Sequence, residues 1–320
     1  VHAGNIATPL AEPAGPAAPR VSILIAAHNR SNVLKLAIDS IRAQDVTDWE
    51  LWVGCDGCTD DSPAVAAGYD DPRIRVVVFE PRIGDQFRVA NALRERCRGD
   101  VVAYLNQDDL WFPDHLSRAL LALNDSDLYL GRIVTLLGNG PQLGPAHYDP
   151  REHYPMSSRV LRRTALEAIG PYPDPLTIIA GSADAWLFRA WRRGLRMRVG
   201  SVLTVIKINS VLQPGSYRRR PADLHEDLMR QGLGEPLRQR LLAEAERRQR
   251  DAPPRPPRWR RRSLAEWRGA ISEALRHRLI VWLQALSMPF GVPPQSVSRW
   301  IRGQRRGDFQ RALNRQRGSD

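Results

Sequence analysis

Residues 21–27, Val-Ser-Ile-Leu-Ile-Ala-Ala, form an almost unbroken apolar run of strand length bounded by polar residues. A strand with one wet face alternates, so a continuous run suits a strand buried on both faces. Four residues later the spacing becomes helical. Val33, Leu36, Ala37, Ser40 and Ile41 share one helical face, and Ser31 is placed to cap its start. The alternation repeats. Strands are expected at 51–55, 74–79 and 101–105, with helices near 61–68, 85–97 and 113–124. Strands alternating with helices imply crossover connections and a mostly parallel sheet. The pattern then becomes less regular, with a strand at 128–137, a Gly/Pro-rich loop at 138–150, helices at 163–169 and 183–193, and a strand at 199–206.

The chain has 320 residues, enough for one large domain or two ordinary ones. It has no run of eighteen apolar residues, and residues 1–20 lack the basic start and apolar centre of a secretory signal. Three cysteines make no disulfide framework, so a reducing cytoplasm is the expected compartment. The net charge of +12 is unevenly spread. Residues 226–320 hold 21 arginines against 10 acidic residues, and the remainder holds 26 basic against 25 acidic groups. Three regions are expected: a disordered Ala/Pro-rich leader at 1–19, a sheet-forming domain at 20–225, and a basic helical extension at 226–320. A Pro-rich stretch at 252–257 reads as a stiff linker.

In an open parallel sheet, ligands bind beyond the carboxyl ends of the strands. His28-Asn29-Arg30, Asp56-Gly57 and Asn106-Gln107-Asp108-Asp109 all fall there. Adjacent carboxylates such as Asp108 and Asp109 repel one another unless a cation lies beside them. Hard divalent cations take oxygen ligands and share them with phosphates. The plainer alternative is that one of the two caps the next helix. Cys55 and Cys58 have redox-motif spacing, but the acidic turn that follows should raise their thiol pKa. They read as small fillers, with Asp56 as the functional residue between them.

The stretches 21–30 (VSILIAAHNR), 53–61 (VGCDGCTDD), 104–113 (YLNQDDLWFP) and 181–189 (GSADAWLFR) together resemble the inverting, nucleotide-sugar-dependent glycosyltransferases of family 2. The resemblance covers residues 21 to 220. It departs from the family at His28, where Tyr is usual, at Cys55 and Cys58, and at Asn106, where many members have Asp. It implies a GT-A fold, an α/β Rossmann-like sheet flanked by helices. It also implies roles. Ala26, Ala27, His28, Asn29 and Arg30 would cradle the nucleotide, and Asp56 would accept a hydrogen bond from its base. Gln107 and Asp108 would lie near the donor. Asp108 and Asp109 would hold Mn²⁺ or Mg²⁺ on the diphosphate. Arg82 and Arg88 would reach phosphate oxygens, supported by Asn91, since guanidinium pairs well with them. Asp184 would be the catalytic base, with an N-capping Asp as the plain alternative. Trp111 and Trp186 are candidates to stack on sugars, with core packing the commoner fate of such rings, and His153, Tyr154, Ser157 and Ser158 would line the acceptor pocket. His225 would be a solvated histidine or a further metal ligand.

The expected activity is metal-assisted glycosyl transfer with inversion, from a nucleotide-diphosphate sugar to a saccharide or lipid-linked acceptor, in polysaccharide or glycolipid synthesis. Ser263 and Glu266 open a helix expected to reach residue 288, with an apolar face of Trp267, Ile271, Leu275, Leu279, Trp282 and Leu286. It would dock on the domain or a second copy, or lie on an anionic membrane at its inner face. Nucleic acid is the least favoured partner, since no recognised motif accompanies the arginines. Two other functions compete. A sugar-nucleotide nucleotidyltransferase would need a Gly-rich loop after the first strand, where His28-Asn29-Arg30 stands. A non-catalytic basic protein would bind nucleic acid or anionic surfaces through its tail.

Overall fold

The structure, a computed structural model, describes residues 18–138, 140–150, 152–174, 181–208 and 223–251. The first half alternates: β1 (Val21–Ala27), α1 (Ser31–Arg42), β2 (Trp49–Asp56), α2 (Ser62–Ala67), β3 (Ile74–Phe79), α3 (Gln86–Arg94), β4 (Val101–Tyr104), a short β5 (Leu110–Trp111) and α4 (His115–Ala122). The second half holds β6 (Leu128–Leu137), β7 (Gly140–Leu143), a 3-10 turn (Met156–Ser158), β8 (Arg159–Arg162), α5 (Arg163–Ile169), α6 (Ser182–Arg192), β9 (Met197–Ile208), α7 (Asp223–Gln231) and α8 (Glu235–Asp251).

These strands make one sheet in the order β3-β2-β1-β4-β8-β6-β9-β5, with β7 added to β6. The expected parallel arrangement holds for β3, β2, β1 and β4. Beyond β4 the sheet becomes mixed. β8 runs antiparallel to β4 and β6, β5 antiparallel to β9, and β9 parallel to β6. Strands β5, β7 and β8 are additions to the sequence reading. β8 escapes it because it opens on Arg159, a guanidinium with no solvent exposure.

Helices cover both faces, which is why β1 is apolar except at Ser22. Leu34, Ile38 and Ile41 of α1 and Leu116 and Ala119 of α4 pack with Ile23, Ile25, Leu51 and Val53 on one face. Val89 and Leu93 of α3, Leu166 of α5 and Trp186 of α6 pack with Leu24, Val102 and Tyr104 on the other. The boundary expected after residue 225 falls inside α7. Leu228, Leu233, Leu237 and Leu241 join Leu110, Phe112, Val134 and Ile206 in a third cluster, so α7 and α8 are built onto the sheet. Residues 1–17, the Pro-rich linker and the helix expected at 263–288 lie outside the described residues, as does the basic run at 216–220. Among the described residues no helix is long and apolar enough to cross a membrane.

The amino end of the sheet is tied by Glu50, which is 1% exposed. Its carboxylate accepts from Ser22 Oγ at 2.7 Å, from Arg98 N at 2.8 Å, from Arg98 Nε at 3.0 Å and from Arg75 Nη1 at 2.9 Å. Burial pushes its carboxyl up, but these donors outweigh burial and hold it below the ordinary value of 4.5. A depressed folded pKa gives stability that is present above the unfolded value and lost as pH falls through the folded one. Glu50→Gln should lower stability by about 1–3 kcal/mol near neutral pH, the cost of buried groups losing a charged partner. Urea unfolding should also show a flatter acid dependence below about pH 4.5 than the unsubstituted protein. Parallel pH profiles would contradict this role for Glu50.

Candidate active site

At the carboxyl end of β1, Asn29 (φ 55°) and Arg30 (φ 67°) both adopt the left-handed conformation, which is rare for residues other than glycine. Side chains from other segments hold this turn. His28 N donates to Gln107 Oε1 at 2.9 Å, and the His28 ring donates through Nδ1 to the Asp56 carbonyl at 2.7 Å. Asn29 Oδ1 accepts from Thr59 N at 2.7 Å, and Arg30 Nη1 meets Asp108 Oδ2 at 3.0 Å. The expected cap on α1 is absent. Its preceding residue is Arg30, and the free Ser31 N–H donates instead to Asp60 Oδ2 at 3.1 Å. Ala26 and Ala27 end β1 as its last two residues.

Asp56 closes β2 and is 5% exposed. Its Oδ1 accepts from Ile83 N at 2.5 Å and its Oδ2 from Gly84 N at 2.8 Å, with Arg82 Nε 3.8 Å away. The carboxylate thus gathers the 82–84 loop over the strand end. Gly57 (φ 57°) permits the crossing, since a Cβ there would stand 2.7 Å from Arg82 Cβ.

The loop after β4 carries the acidic pair. Asp109 is fully buried. It accepts from Asn106 Nδ2 at 2.9 Å, from Ser157 Oγ and from Ile208 N at 3.1 Å, and Lys207 Nζ stands 3.8 Å away. Burial pushes its carboxyl up, Lys207 pulls it back, and Asp108 pushes it up again. His225 of α7 is 2% exposed, so it is not a solvated residue. Its Nε2 donates to the Asp108 carbonyl at 3.0 Å, and burial lowers its pKa. Arg30, Asp108, Asp109, Lys207 and His225 therefore meet around one loop. The carboxylate oxygens are the hard donors a divalent ion takes, and Arg30 and Lys207 already supply opposite charge to them. Among the described residues no three His, Cys, Asp or Glu side chains form a metal cluster. A cation at Asp108 and Asp109 would draw its other oxygens from a bound phosphate.

Asp184 lies in the first turn of α6, but the residue capping that helix is Gly181. The plain capping alternative is therefore not its role. Asp184 is 4% exposed, and Oδ1 accepts from His153 Nδ1 at 2.8 Å. Buried Arg159 joins this region to the acidic loop. Its Nη2 donates to the carbonyls of Tyr154, at 2.8 Å, and Ala183, at 3.2 Å. Two residues before Arg159, Ser157 donates to Asp109. Trp111 and Trp186 are fully buried. Trp111 Nε1 donates to the Ser157 carbonyl at 2.7 Å, and Trp186 Nε1 to the Gly170 carbonyl at 2.8 Å. Both are core residues with no face left for a sugar. Tyr154 and Ser158 are likewise buried, which leaves His153 as the accessible side chain of that expected acceptor group. Arg88 pairs with Asp174 at 2.7 Å, and Asn91 exchanges hydrogen bonds with the backbone of Tyr172. Both act between α3 and the segment before α6.

Of the two thiols expected to rise, Cys55 does and Cys58 does not. Cys58 is pulled down to about 7 by its hydrogen bond with the Cys55 thiol and by Asn29 N, which outweigh burial and the neighbouring Asp60 and Asp56. Cys55 is pushed up by the same pairing, and Cys97 to about 12 by burial. Iodoacetamide should therefore label Cys58 first, with a rate midpoint below that of an ordinary thiol. Mass spectrometry that finds Cys97 or Cys55 labelled first, or a midpoint above that of an ordinary thiol, would contradict the arrangement.

The family model described as glycosyl transferase family 2 matches residues 22–172. Similar curated proteins include the uncharacterised glycosyltransferase RT0329 of Rickettsia typhi, 30% identical over 109 residues, or 34% of this chain and 33% of that protein. The succinoglycan biosynthesis protein ExoO of Rhizobium meliloti is 33% identical over 102 residues, or 32% of this chain and 29% of that protein. The chain spans between 11% and 41% of the length of the curated relatives it matches. Among solved structures, S. aureus TarS 1-349 in complex with UDP-GlcNAc is similar with a TM-score of 0.53 and 15% identity, over 93% of this chain and 90% of that one. The mannosyltransferase PcManGT from Pyrobaculum calidifontis, in complex with GDP-Man and Mn2+, has a TM-score of 0.52 and 17% identity, over 90% of this chain and 87% of that one. At these identities the structural likeness concerns the fold. The two comparisons agree: residues 22–172 match the glycosyl transferase family 2 model, and the fold is similar to that of GT-A glycosyltransferases.

Proposed function

We propose that the domain moves a glycosyl group from a nucleoside-diphosphate sugar to an acceptor hydroxyl, with inversion at the anomeric carbon. The observation that carries this reading is the meeting of Arg30, Asp108, Asp109, Lys207 and His225 at the carboxyl ends of β1, β4 and β9. The cluster's two cations offset its two carboxylates, so a nucleotide diphosphate there would rely on a divalent cation for its countercharge. In this reading the acceptor oxygen attacks the anomeric carbon while the bond from that carbon to the diphosphate oxygen breaks. The electron pair leaves with the nucleoside diphosphate. Arg30 and Lys207 would face the charge that grows there, and preorganised cationic groups stabilise such a transition state strongly. A divalent cation, Mn²⁺ or Mg²⁺, held by Asp108 and Asp109 would supply further positive charge to the diphosphate. The acceptor proton would leave toward the pair formed by Asp184 and His153. Attack from the face opposite the leaving group gives inversion. The acceptor class that fits a relative named for succinoglycan biosynthesis is a growing saccharide or its lipid-linked form.

Calorimetric titration with UDP, dTDP and GDP, each with and without Mn²⁺, tests the reading. One nucleotide should bind and should need the cation. Asp109→Asn should weaken it by about tenfold or more, the equivalent of about 1.4 kcal/mol. Failure of all three nucleotides to bind would remove the transferase reading.

A further inference from the structure

We propose that His153 is the group that takes the acceptor proton, with Asp184 as the carboxylate that orients it. This assignment rests on the transferase reading and deepens it. The family resemblance alone makes Asp184 the base, but its side chain is 2% exposed, while that of His153 is 49% exposed. A saccharide hydroxyl reaches a half-exposed imidazole more readily than a carboxylate enclosed in the first turn of α6. The hydrogen bond also sets the tautomer. An ionised carboxylate only accepts, so the 2.8 Å contact puts the proton on Nδ1 and leaves Nε2 as the basic nitrogen. A carboxylate that orients an imidazole in this way also stabilises the imidazolium formed when Nε2 gains a proton.

The pair is built into the same frame as the acidic loop. Arg159 holds the carbonyls of Tyr154 and Ala183, the chain neighbours of His153 and Asp184. Ser157, four residues beyond His153, donates to Asp109. The step balances. The acceptor O–H proton passes to His153 Nε2, the acceptor oxygen bonds to the anomeric carbon, and the bond to the diphosphate breaks with its electron pair on the departing oxygen. The imidazolium then returns its proton to solvent through its exposed edge.

Two measurements on the full chain test this. Nitrogen NMR of histidine-labelled protein, with the His153 signal identified by its loss in His153→Gln, should place the proton of the uncharged ring on Nδ1. A ring protonated mainly at Nε2 would overturn the assignment. Turnover is then followed as nucleoside diphosphate released from UDP-glucose, dTDP-glucose or GDP-mannose, with water and soluble glycosides as acceptors. His153→Gln keeps a donor for Asp184 but cannot take a proton. It should lose about 10²–10⁴-fold in turnover while calorimetric affinity for the nucleotide stays unchanged. Undiminished turnover in His153→Gln would overturn the assignment and return the base to Asp184. A parent protein that binds no nucleotide contradicts the transferase reading instead, and the two failures stay distinct.

Discussion

A single carboxylate without contact with water, Asp109, holds the working end of this domain together. Burying such a charge is costly unless donors and an opposite charge replace its hydration. Asp109 meets that condition with groups from three places: Asn106 in its own loop, Ser157 before β8, and the Lys207–Ile208 end of β9. The parallel and mixed halves of the sheet are therefore registered to each other at the point where the acidic loop leaves β4. Because Ser157 leads into Arg159, and Arg159 grips the start of α6, the same carboxylate sets where the Asp184–His153 pair stands relative to the loop.

The left-handed turn at Asn29 and Arg30 depends on that arrangement. A residue with φ near 60° carries a steric cost that surrounding contacts must offset. Here Arg30 is held by Asp108, His28 by Gln107, and Asn29 by Thr59 and Cys58. Each contact links ends of neighbouring strands, so the turn exists only when β1, β2 and β4 are paired in register. Folding and assembly of the site are one event in this design.

The sequence makes much of this frame visible, for stated reasons. β1, β3, β6 and α5 match their expected limits residue for residue, since each is an apolar or periodic run bounded by polar or turn-forming residues. The three polar clusters at strand ends are also readable, because sheet topology alone brings them to one edge. The rest is not local. Strands β5, β7 and β8 have two to four residues each, too few to show a period. Arg159 reads as surface until Tyr154, Ala183 and the rings of Tyr172 and Trp186 are seen around it. Lys207 and His225 lie about a hundred residues from the aspartates they meet, and no spacing rule links them. For Trp111 and Trp186 the plainer of the two readings holds, since a ring near a loop of functional residues can belong wholly to the core.

Amide hydrogen exchange of the full chain, with and without the nucleoside diphosphate that binds it, tests the central claim most directly. If the ends of β1, β2 and β4 form one donor site, protection should rise together at residues 27–31, 56–59 and 106–109. Protection confined to one of these segments, or appearing instead along α7 and α8, would contradict the account.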